Sequence, residues 1–305
     1  MKSIIRHILN AIRHPYKVVV FCINKGWGGI FPDKIFIKAW FRETLGYTLK
    51  LRNPQTFNEK LQWLKLYDRR PEYTAMVDKY EAKKYVGSLI GEEYVIPTYG
   101  VWDTFEKIDF ESLPEQFVLK CTHDSGGLVI CDNKRKLNLV EAKVKLNKSL
   151  KHNYYLNGRE WPYKDVKPRI IAEKYMVNDS KGELTDYKIH CFNGAPQFIL
   201  VCSQRFSDEG IREDFYSVSW ERLDIERPTS PNSEKGIGRP DNLNEMIDLA
   251  KCLSANIPFV RTDFYVVHGR IYFGELTFYP SSGFEKFKPD GCDLNLGNLL
   301  SLPKK

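Results

Sequence analysis

Several common signatures are missing from this chain of 305 residues. Its seven cysteines are scattered and form no Cys-x-x-Cys pair, which argues against a zinc site and against a disulfide framework. No apolar run reaches the roughly 20 residues that a membrane-spanning helix needs. The apolar run at residues 18–23 is not followed by a small-residue cleavage site. We therefore expect a reduced, cytoplasmic protein without a cleaved leader.

Two nucleotide-binding motifs are also absent. The chain has no Walker sequence, Gly-x-x-x-x-Gly-Lys-[Ser/Thr], so it has no P-loop site. It has no Asp-x-Asp, the motif with which a glycosyltransferase usually binds a metal and a nucleotide sugar. Neither an RNA-recognition signature nor a zinc-finger pattern is present, which argues against a nucleic-acid partner. What remains is a globular protein whose 42% hydrophobic residues support a substantial core.

The positive charge belongs to one end of the chain. Of the net charge of +7, residues 1–52 contribute +8, from ten Lys and Arg against Asp33 and Glu43, which leaves −1 for the rest. Isoleucine and leucine recur at helical spacing over residues 4–12. This pattern has two interpretations: a helix packed on its own domain, or contact of residues 1–25 with the anionic inner face of a membrane.

Residues 260–283, VRTDFYVVHGRIYFGELTFYPSSG, combine two apolar stretches with two carboxylates that a purely structural hairpin would not need. The stretches on either side of His268-Gly269 are rich in β-branched and aromatic residues, and the dipeptide itself is typical of a turn. We predict an antiparallel pair of strands with Asp263 and Glu275 near its far ends.

Strand register decides whether these two carboxylates can act together, because side chains alternate between the faces of a strand. A regular two-residue turn would place Asp263 opposite Gly274 and leave Glu275 on the other face. A three-residue loop centred on Gly269, or a bulge at Gly274, would set the two carboxylates across from one another. We expect this second register.

In that register Arg261 and Thr277 would lie beside the pair. Two carboxylates with little neutralising charge nearby in sequence suggest a hard cation such as Mg²⁺, which takes one or two carboxylates together with phosphate oxygens. The alternative is two acids solvated at strand ends.

A glycine-rich loop, residues 122–127, joins two predicted strands. Its glycines allow close backbone approach, and its N–H groups with Thr122 and Ser125 can form an anion-binding nest. Lys120, just before the loop, is placed to bring an ammonium group to a phosphate. An ordinary Ser-Gly-Gly hairpin loop is the alternative interpretation.

Other elements follow from local patterns. Residues 56–59 form a capping box that begins a helix, a second helix is predicted over residues 76–86, and Asn193-Gly194 is a type I′ turn signal. Four charged residues of the second helix are assigned to a solvated face: Asp78, Lys79, Lys83 and Lys84. Further helices are predicted at 140–151 and 243–253, and strands at 117–121, 128–131, 169–176, 185–192 and 198–202.

The order of these motifs resembles the ATP-grasp fold. It is most similar to the TupA-like ATP-grasp family, which is associated with bacterial teichuronopeptide and capsular polysaccharide synthesis. The stretches that carry the resemblance are 57–63 (FNEKLQW), 78–80 (DKY), 117–127 (FVLKCTHDSGG), 186–188 (DYK), 191–194 (CFNG) and 273–277 (FGELT). One departure is Thr277, because many ATP-grasp enzymes have Asn two residues after the metal-binding Glu; this weakens the expectation of a second metal.

The resemblance implies an α+β ATP-grasp fold in which two subdomains grip ATP. The implied division of the chain is a basic, helical N-terminal segment (1–52), an N-terminal part of the catalytic domain (53–116), a small subdomain with a glycine-rich lid (117–176) and a large subdomain with the metal-binding hairpin (177–305).

It also implies roles for single residues. Lys120 and Lys188 would contact the phosphates, residues 122–127 would form the lid, and residues 173–176 would be the hinge that holds adenine. The implied nucleotide-binding residues are Lys120, Thr122, Ser125, Gly126, Gly127, Glu173, Lys174, Tyr175, Met176, Asp186 and Lys188. The implied Mg²⁺ ligands are Asp263, Glu275 and Thr277. Arg261 and Lys188 are the expected catalytic residues.

The implied activity is an ATP-dependent ligase that forms an amide through an acyl phosphate. Its expected substrates are a uronic-acid carboxyl of a surface polysaccharide, or of a precursor, and an amino acid as the amine. A glycosyltransferase, a sugar kinase with the same ATP site, and a glycan-binding module with a decayed site are the rival interpretations.

Overall fold

The computed structural model describes residues 14–176, 184–204 and 210–304. The helical pattern at residues 4–12 lies outside these ranges. No helix within them is long and apolar enough to cross a membrane.

The described residues contain a series of mostly short helices. Their bounds are α1 (Pro15–Cys22), α2 (Asp33–Leu45), α3 (Phe57–Tyr67), α4 (Glu72–Val77), α5 (Glu81–Ile90), α6 (Leu139–Leu150), α7 (Tyr155–Gly158), α8 (Leu243–Leu253) and α9 (Cys292–Leu299).

The strands form two antiparallel sheets. The four-stranded sheet has the order β1 (Thr98–Trp102), β4 (Ile170–Lys174), β2 (Phe117–Cys121), β3 (Leu128–Cys131). The five-stranded sheet has the order β7 (Arg212–Ser217), β6 (Ala195–Ser203), β5 (Asp186–Phe192), β8 (Phe259–Val267), β9 (Arg270–Thr277). Since β1 belongs to the smaller sheet, that sheet draws on residues before 117, where we expected the small subdomain to begin.

Two hydrophobic cores correspond to the two sheets. The larger core includes Leu61 of α3 and Ile189 of β5, both fully buried, and packs helices α2–α5, α8 and α9 against the five-stranded sheet. The smaller core packs Leu146 of α6 against Leu119 of β2. A third, small cluster contains Ile96 before β1, Met176 after β4 and Val267 at the end of β8. The two sheets are therefore built on separate cores, and this small cluster combines residues from both sides.

The capping box at the start of α3 is confirmed. Thr56 accepts a hydrogen bond from the Glu59 N–H at 3.2 Å, and the Glu59 carboxylate accepts one from the Thr56 N–H at 3.3 Å. The pair satisfies backbone donors that the first turn of a helix leaves without a partner. This local interaction explains why the beginning of α3 was readable from sequence.

The helix predicted over residues 76–86 is wrong as a single element. The chain breaks between α4 and α5, where Asp78 is extended and its Oδ1 accepts hydrogen bonds from the N–H groups of Tyr80 (2.8 Å) and Glu81 (3.3 Å). Asp78 also pairs with Arg169 through Oδ2 at 2.8 Å. Aspartate competes well for backbone donors at helix ends, and this one begins α5 instead of lying on a solvated face.

The β8–β9 hairpin has the expected register. Its turn is the two-residue His268-Gly269, with φ of 51° and 74°, the left-handed values of a type I′ turn. A bulge between Asp263 and Phe264 then shifts the register, so that Asp263 pairs with Glu275. A Cβ on Gly274 would lie 3.1 Å from the Asp263 carbonyl oxygen, so the bulge is made where the side chain is smallest. The two carboxylates therefore share one face.

Candidate functional site

A cleft of about 890 Å³, open to solvent, lies between the two sheets. Its polar lining includes Lys79, Lys83, Lys120, Asp124, Ser125, Tyr163, Glu173 and Glu275. A neighbouring cleft of about 850 Å³ shares Lys120 and Glu173 with the first and is otherwise more apolar. Together they form one groove with a charged end and an apolar end.

Glu173 is the centre of the charged end. It is 4% exposed, and its carboxylate pairs with Lys83 through Oε1 at 2.7 Å and with Lys120 through Oε2 at 2.6 Å. Burial by itself would raise the pKa of Glu173, but the two ammonium groups outweigh it, and the pKa lies below its ordinary value. One carboxylate thus holds two lysines at the wall of the cleft.

A third lysine, Lys79, lies in the connection between α4 and α5. Its N–H donates to the Thr122 carbonyl oxygen at 3.0 Å, and its Nζ donates to the Asp124 carbonyl oxygen, which ties it to the glycine-rich loop. Burial lowers the pKa of Lys79. The assignment of Lys79 and Lys83 to a solvated face is wrong, because both line the cleft; only Lys84, which is 61% exposed, fits it.

The glycine-rich loop is held from within. Asp124 accepts a hydrogen bond from the Gly127 N–H at 3.1 Å through Oδ1 and one from the Ser149 hydroxyl through Oδ2. A Cβ on Gly127 would lie 2.8 Å from the Cβ of Cys121, so glycine is required there. Ser125 donates to the Tyr154 hydroxyl at 3.3 Å. These contacts fix the loop over the charged end of the groove.

The predicted loop residues do not all reach the cleft. Ser125 and Gly127 line it. Thr122 is fully buried and its hydroxyl donates to the Lys167 carbonyl oxygen at 3.3 Å, and Gly126 lies outside the lining. The hydroxyl of Thr122 therefore serves the protein interior in this conformation.

The predicted hinge lies at the apolar end of the groove. Lys174, Tyr175 and Met176 line it together with Asp186 of β5. The Lys174 N–H donates to the Pro97 carbonyl oxygen at 2.9 Å, which holds the hinge against the segment before β1. With Lys120 and Glu173, six of the predicted nucleotide-binding residues therefore line this cleft.

Five polar side chains form a network, four from the hairpin and one, Lys188, from the neighbouring strand β5. Arg261 donates two hydrogen bonds to Asp263, Nε to Oδ1 at 2.7 Å and Nη2 to Oδ2 at 2.6 Å. The same Nη2 reaches Glu275 at 3.1 Å and Thr277 at 3.0 Å. Lys188 of β5 donates to Asp263 Oδ2 at 2.5 Å. The structure thus brings together all five residues that were predicted for catalysis and metal binding.

One premise of the metal prediction is wrong. The prediction assumed little neutralising charge near the two carboxylates, but Arg261, two residues before Asp263, and Lys188, which β5 brings alongside, both contact Asp263. Burial alone would raise the pKa of Asp263, yet the two cations lower it below its ordinary value. Burial also disfavours the charged form of Lys188, and Asp263 outweighs this effect, so the pKa of Lys188 is raised. Asp263 is ionised and already paired.

The residues still fit one Mg²⁺. The Glu275 side chain is 43% exposed and lines the cleft, whereas Asp263 is 1% exposed. Thr277 donates to Glu275 Oε1 at 3.1 Å, so its hydroxyl oxygen lies beside the Glu275 carboxylate. Within the described residues no three His, Cys, Asp or Glu side chains come together as a metal site. This donor set suits Mg²⁺, which binds through one or two carboxylates plus substrate phosphates.

Sequence reasoning missed Lys83 and gave no role to Lys79. Lys83 lies 90 residues before Glu173, so no local pattern joins them. Lys79 belongs to one of the stretches that carry the family resemblance, 78–80, and that membership was the available signal.

The sequence matches a family model described as TupA-like ATPgrasp over residues 59–301. No curated protein matches the chain significantly. Among solved structures, the chain is similar to D-alanine–D-alanine ligase from Bacillus anthracis complexed with ATP (15% identity, 67% of this chain and 54% of that one, TM-score 0.39). It is also similar to D-alanine–D-alanine ligase from Helicobacter pylori (16%, 81% and 69%, 0.43) and to the ATP-grasp ligase PsnB with minimal precursor, Mg and ADP (10%, 80% and 62%, 0.38).

The chain spans about half the length of the Bacillus anthracis ligase. At these TM-scores the structural similarities add no argument, and the assignment rests on the match of the family model to most of the sequence. The match confirms the family and the α+β ATP-grasp fold that the motifs implied. The chain belongs to the TupA-like ATP-grasp family.

Proposed function

We propose that the protein is an ATP- and Mg²⁺-dependent carboxylate–amine ligase that releases ADP. The observation that carries this proposal is the arrangement of the groove, in which Lys79, Lys83 and Lys120 line the same cleft as the Glu275 carboxylate, with Asp263 buried next to it. ATP is a polyanion that binds with a divalent cation, so it needs cationic donors and hard oxygen ligands in one site. The groove supplies both.

In this proposal ATP lies along the groove. Its phosphates are held at the charged end by Lys79, Lys83 and Lys120 under the glycine-rich loop, and its adenine lies between the hinge, residues 173–176, and Asp186. The proposal includes the expected division of the chain into a lid-bearing subdomain, residues 117–176, and a hairpin-bearing subdomain, residues 177–305.

Glu275, Asp263 and Thr277 would hold Mg²⁺. When bound, the metal neutralises phosphate charge and polarises the transferred group. Asp263 also fixes Arg261 and Lys188 in the cleft wall, because each of them donates to its carboxylate. That leaves Glu275 as the most accessible ligand.

The reaction has two steps. The γ-phosphoryl group of ATP is transferred to a substrate carboxylate oxygen. The bond to the bridging oxygen breaks, ADP leaves, and an acyl phosphate forms. An amine then attacks the carbonyl carbon, an amide forms, inorganic phosphate leaves and the amine proton passes to solvent. Arg261 stabilises negative charge on the carbonyl oxygen during attack, and Lys188 neutralises the phosphoryl group. The closed glycine-rich loop keeps water from the acyl phosphate.

The finer part of the proposal concerns the substrates and the setting. We place the carboxylate on a uronic acid of a bacterial capsular or teichuronopeptide-type polysaccharide, or its precursor, with an amino acid as the amine. The family resemblance and the +8 charge of residues 1–52 support this, since a basic segment suits an acidic glycan or the inner face of a membrane. The protein would be cytoplasmic, with residues 1–25 in peripheral contact with that face.

Thermal denaturation with and without Mg-ATP tests the nucleotide site. We expect Mg-ATP to raise the melting temperature and ATP with EDTA to raise it less. An unchanged melting temperature would contradict the proposal at its base. Release of ADP with candidate uronic acids then tests the reaction: a ligase requires an amine for sustained turnover, whereas turnover with sugar alone, unaffected by amines, would identify a kinase.

A further inference from the structure

A cavity of about 700 Å³, open to solvent, is lined by α2, by the segment 49–53 and by the end of α3. Four cations line this basic cavity: Lys34, Lys38, Lys50 and Arg52. It shares no described residue with the two clefts of the groove. Since residues 1–52 hold ten Lys and Arg, a large part of the positive charge of that segment is gathered in one concave place.

The local structure explains why the four cations meet. Lys34 and Lys38 are four residues apart on α2, so they lie on the same face of the helix. In the segment 49–53, two buried leucines alternate with the exposed Lys50 and Arg52. The helix and the segment each present two cations to the same space.

The protein does not balance this charge. Among the residues that the structure describes, no carboxylate lines the cavity. Two acids close to it are engaged elsewhere: Asp33 pairs with Arg69 at 2.6 Å, and Glu59 accepts from the Lys50 N–H at 3.0 Å. Lys34 also lies in the first turn of α2, where a cation opposes the helix dipole, and like charges four residues apart destabilise a helix. A ligand that supplies the counter-charge would relieve both effects.

The number of cations indicates the class of anion. A carboxylate carries a single negative charge, whereas a phosphate monoester carries about 1.5 to 2 at pH 7. Four cations in one cavity therefore match a diphosphate better than the carboxylate of one sugar acid. Arg52 supplies planar paired donors that suit phosphate oxygens, and the lysines supply point charges.

The cavity also has room for an organic group. Its volume falls in the range of about 300–1,000 Å³ that is typical of sites for small organic molecules. Tyr67 and Asn53 line it beside the cations. Tyr67 is 41% exposed, and its ring packs on Trp63 with the centroids 5.1 Å apart, which holds it in place. An aromatic face and an amide can contact a ring or a chain and its polar atoms.

We infer that the basic cavity binds an organic diphosphate, with the diphosphate on the four cations and the organic group against Tyr67. A nucleoside diphosphate and a lipid diphosphate are the two sources of this chemistry. The inference goes beyond the proposed ligase reaction and does not depend on it, because the cavity and the groove are lined by different residues.

Isothermal titration calorimetry of the full chain without Mg²⁺ tests the inference. The probes are UDP, geranyl diphosphate, inorganic pyrophosphate and trigalacturonate. We expect UDP or geranyl diphosphate to bind at least about tenfold more tightly than pyrophosphate and trigalacturonate. The one that binds more tightly identifies the source as a nucleotide or a lipid. Flotation with phosphatidylglycerol vesicles measures binding to an anionic membrane separately.

Two charge-matched double variants locate the site. K38Q/R52Q removes two cations from the cavity and should weaken binding of the organic diphosphate at least about tenfold. K25Q/R42Q removes two cations from the same basic segment, but both lie outside the cavity lining: Lys25 lies over the Phe21 ring and Arg42 donates to Thr48. This control should bind as the wild type does. Melting temperatures verify that both variants fold.

K83M is the control for the groove, because Lys83 lines the groove and not the basic cavity. It should leave binding of the organic diphosphate unchanged. If K83M loses this binding while K38Q/R52Q retains it, the ligand occupies the groove and the inference is wrong.

The remaining outcomes are distinct. Absence of binding by both organic diphosphates overturns the inference, and so does equal weakening in the two double variants, which would show a general effect of net charge. Pyrophosphate binding as tightly as the organic diphosphates would identify a site for a bare anion. Tighter binding of trigalacturonate would identify a site for acidic sugars, and binding to vesicles alone a membrane surface; each overturns the inference. Diphosphate binding in a protein whose melting temperature does not respond to Mg-ATP supports the inference and removes the ligase.

Discussion

The two walls of the groove use buried ion pairs in opposite ways. On the four-stranded sheet, one carboxylate, Glu173, holds two lysines. On the five-stranded sheet, Asp263 is held by Arg261 and Lys188, and Glu275 remains 43% exposed beside them. The first wall has one more cation than carboxylates. The second has one more carboxylate than cations, because Asp186 also lies 3.6 Å from Lys188. This difference favours phosphate at the first wall and metal at the second.

Burial also makes the Glu173–Lys120 pair and the Asp263–Arg261 pair differ in how much the protein is destabilised when one partner is removed. Lys120 is 27% exposed, so it can reach water if Glu173 is lost. Arg261 is 10% exposed and makes both of its bonds to Asp263 in the interior. Removing one partner of a buried pair costs most when the other cannot be hydrated.

The largest effect is expected for D263N. Arg261 and Lys188 would lose their common counter-ion in the interior, so the free energy of unfolding should fall by about 3–5 kcal/mol. Urea denaturation measures it. E275Q is the control on the same face: its side chain is 43% exposed, so it should leave stability nearly unchanged and abolish the metal dependence of ATP binding. Equal destabilisation by the two variants would contradict the comparison.

E173Q should cost less, about 1–3 kcal/mol, because the amide still accepts hydrogen bonds and Lys120 can rehydrate. Its pH dependence has a definite sign. Since the pKa of Glu173 is lowered in the folded state, its contribution is present above the ordinary value of 4.5 and is lost as pH falls through the folded value. As pH falls below the ordinary value of 4.5, wild-type stability should therefore fall more steeply than that of E173Q. Parallel curves would show that Glu173 is not the group responsible.

G274A tests the bulge that aligns the two carboxylates. The added Cβ would lie 3.0 Å from the Tyr265 ring and 3.1 Å from the Asp263 carbonyl oxygen, so the strand must shift, at about 1–3 kcal/mol. Affinity for Mg-ATP should fall more than stability does, because the shift separates Asp263 from Glu275. G269A is a poor substitute, since that glycine has φ of +74° and the variant would be strained by the turn itself. If a folded G274A variant bound Mg-ATP with unchanged affinity, the alignment of Asp263 with Glu275 would not be required for binding.

The smallest effect on stability is expected for K83M. Methionine replaces most of the apolar stem of Lys83, and Glu173 keeps its ion pair with Lys120. The melting temperature should therefore change little. The dissociation constant of ATP should rise about tenfold, as expected for the loss of one charged contact. K84M on the same helix is the matched control, because Lys84 is 61% exposed and pairs with Glu81. Identical ATP binding by the two variants would remove Lys83 from the phosphate site.

Local interactions explain what was predictable. The capping box of α3, the strands β2 and β3 and the two type I′ turns each depend on residues close in sequence, so their patterns could be read directly. The break between α4 and α5 was missed because it depends on Asp78, whose Oδ2 is held by Arg169, 91 residues away. β1 was missed as well, since its partner β4 lies far along the chain.

The candidate site divides in the same way, into features set by local sequence and features set by contacts between distant residues. The sequence by itself determined the family, the fold class and the positions of Lys120, the glycine-rich loop and the two hairpin carboxylates, because each lies in a short stretch with its own pattern. Only the tertiary structure decided that Lys83 meets Glu173 and that Lys188 joins Arg261 in neutralising Asp263. Charge balance and cavity shape depend on side chains that the fold brings together across tens of residues, and no local pattern records which of them will meet.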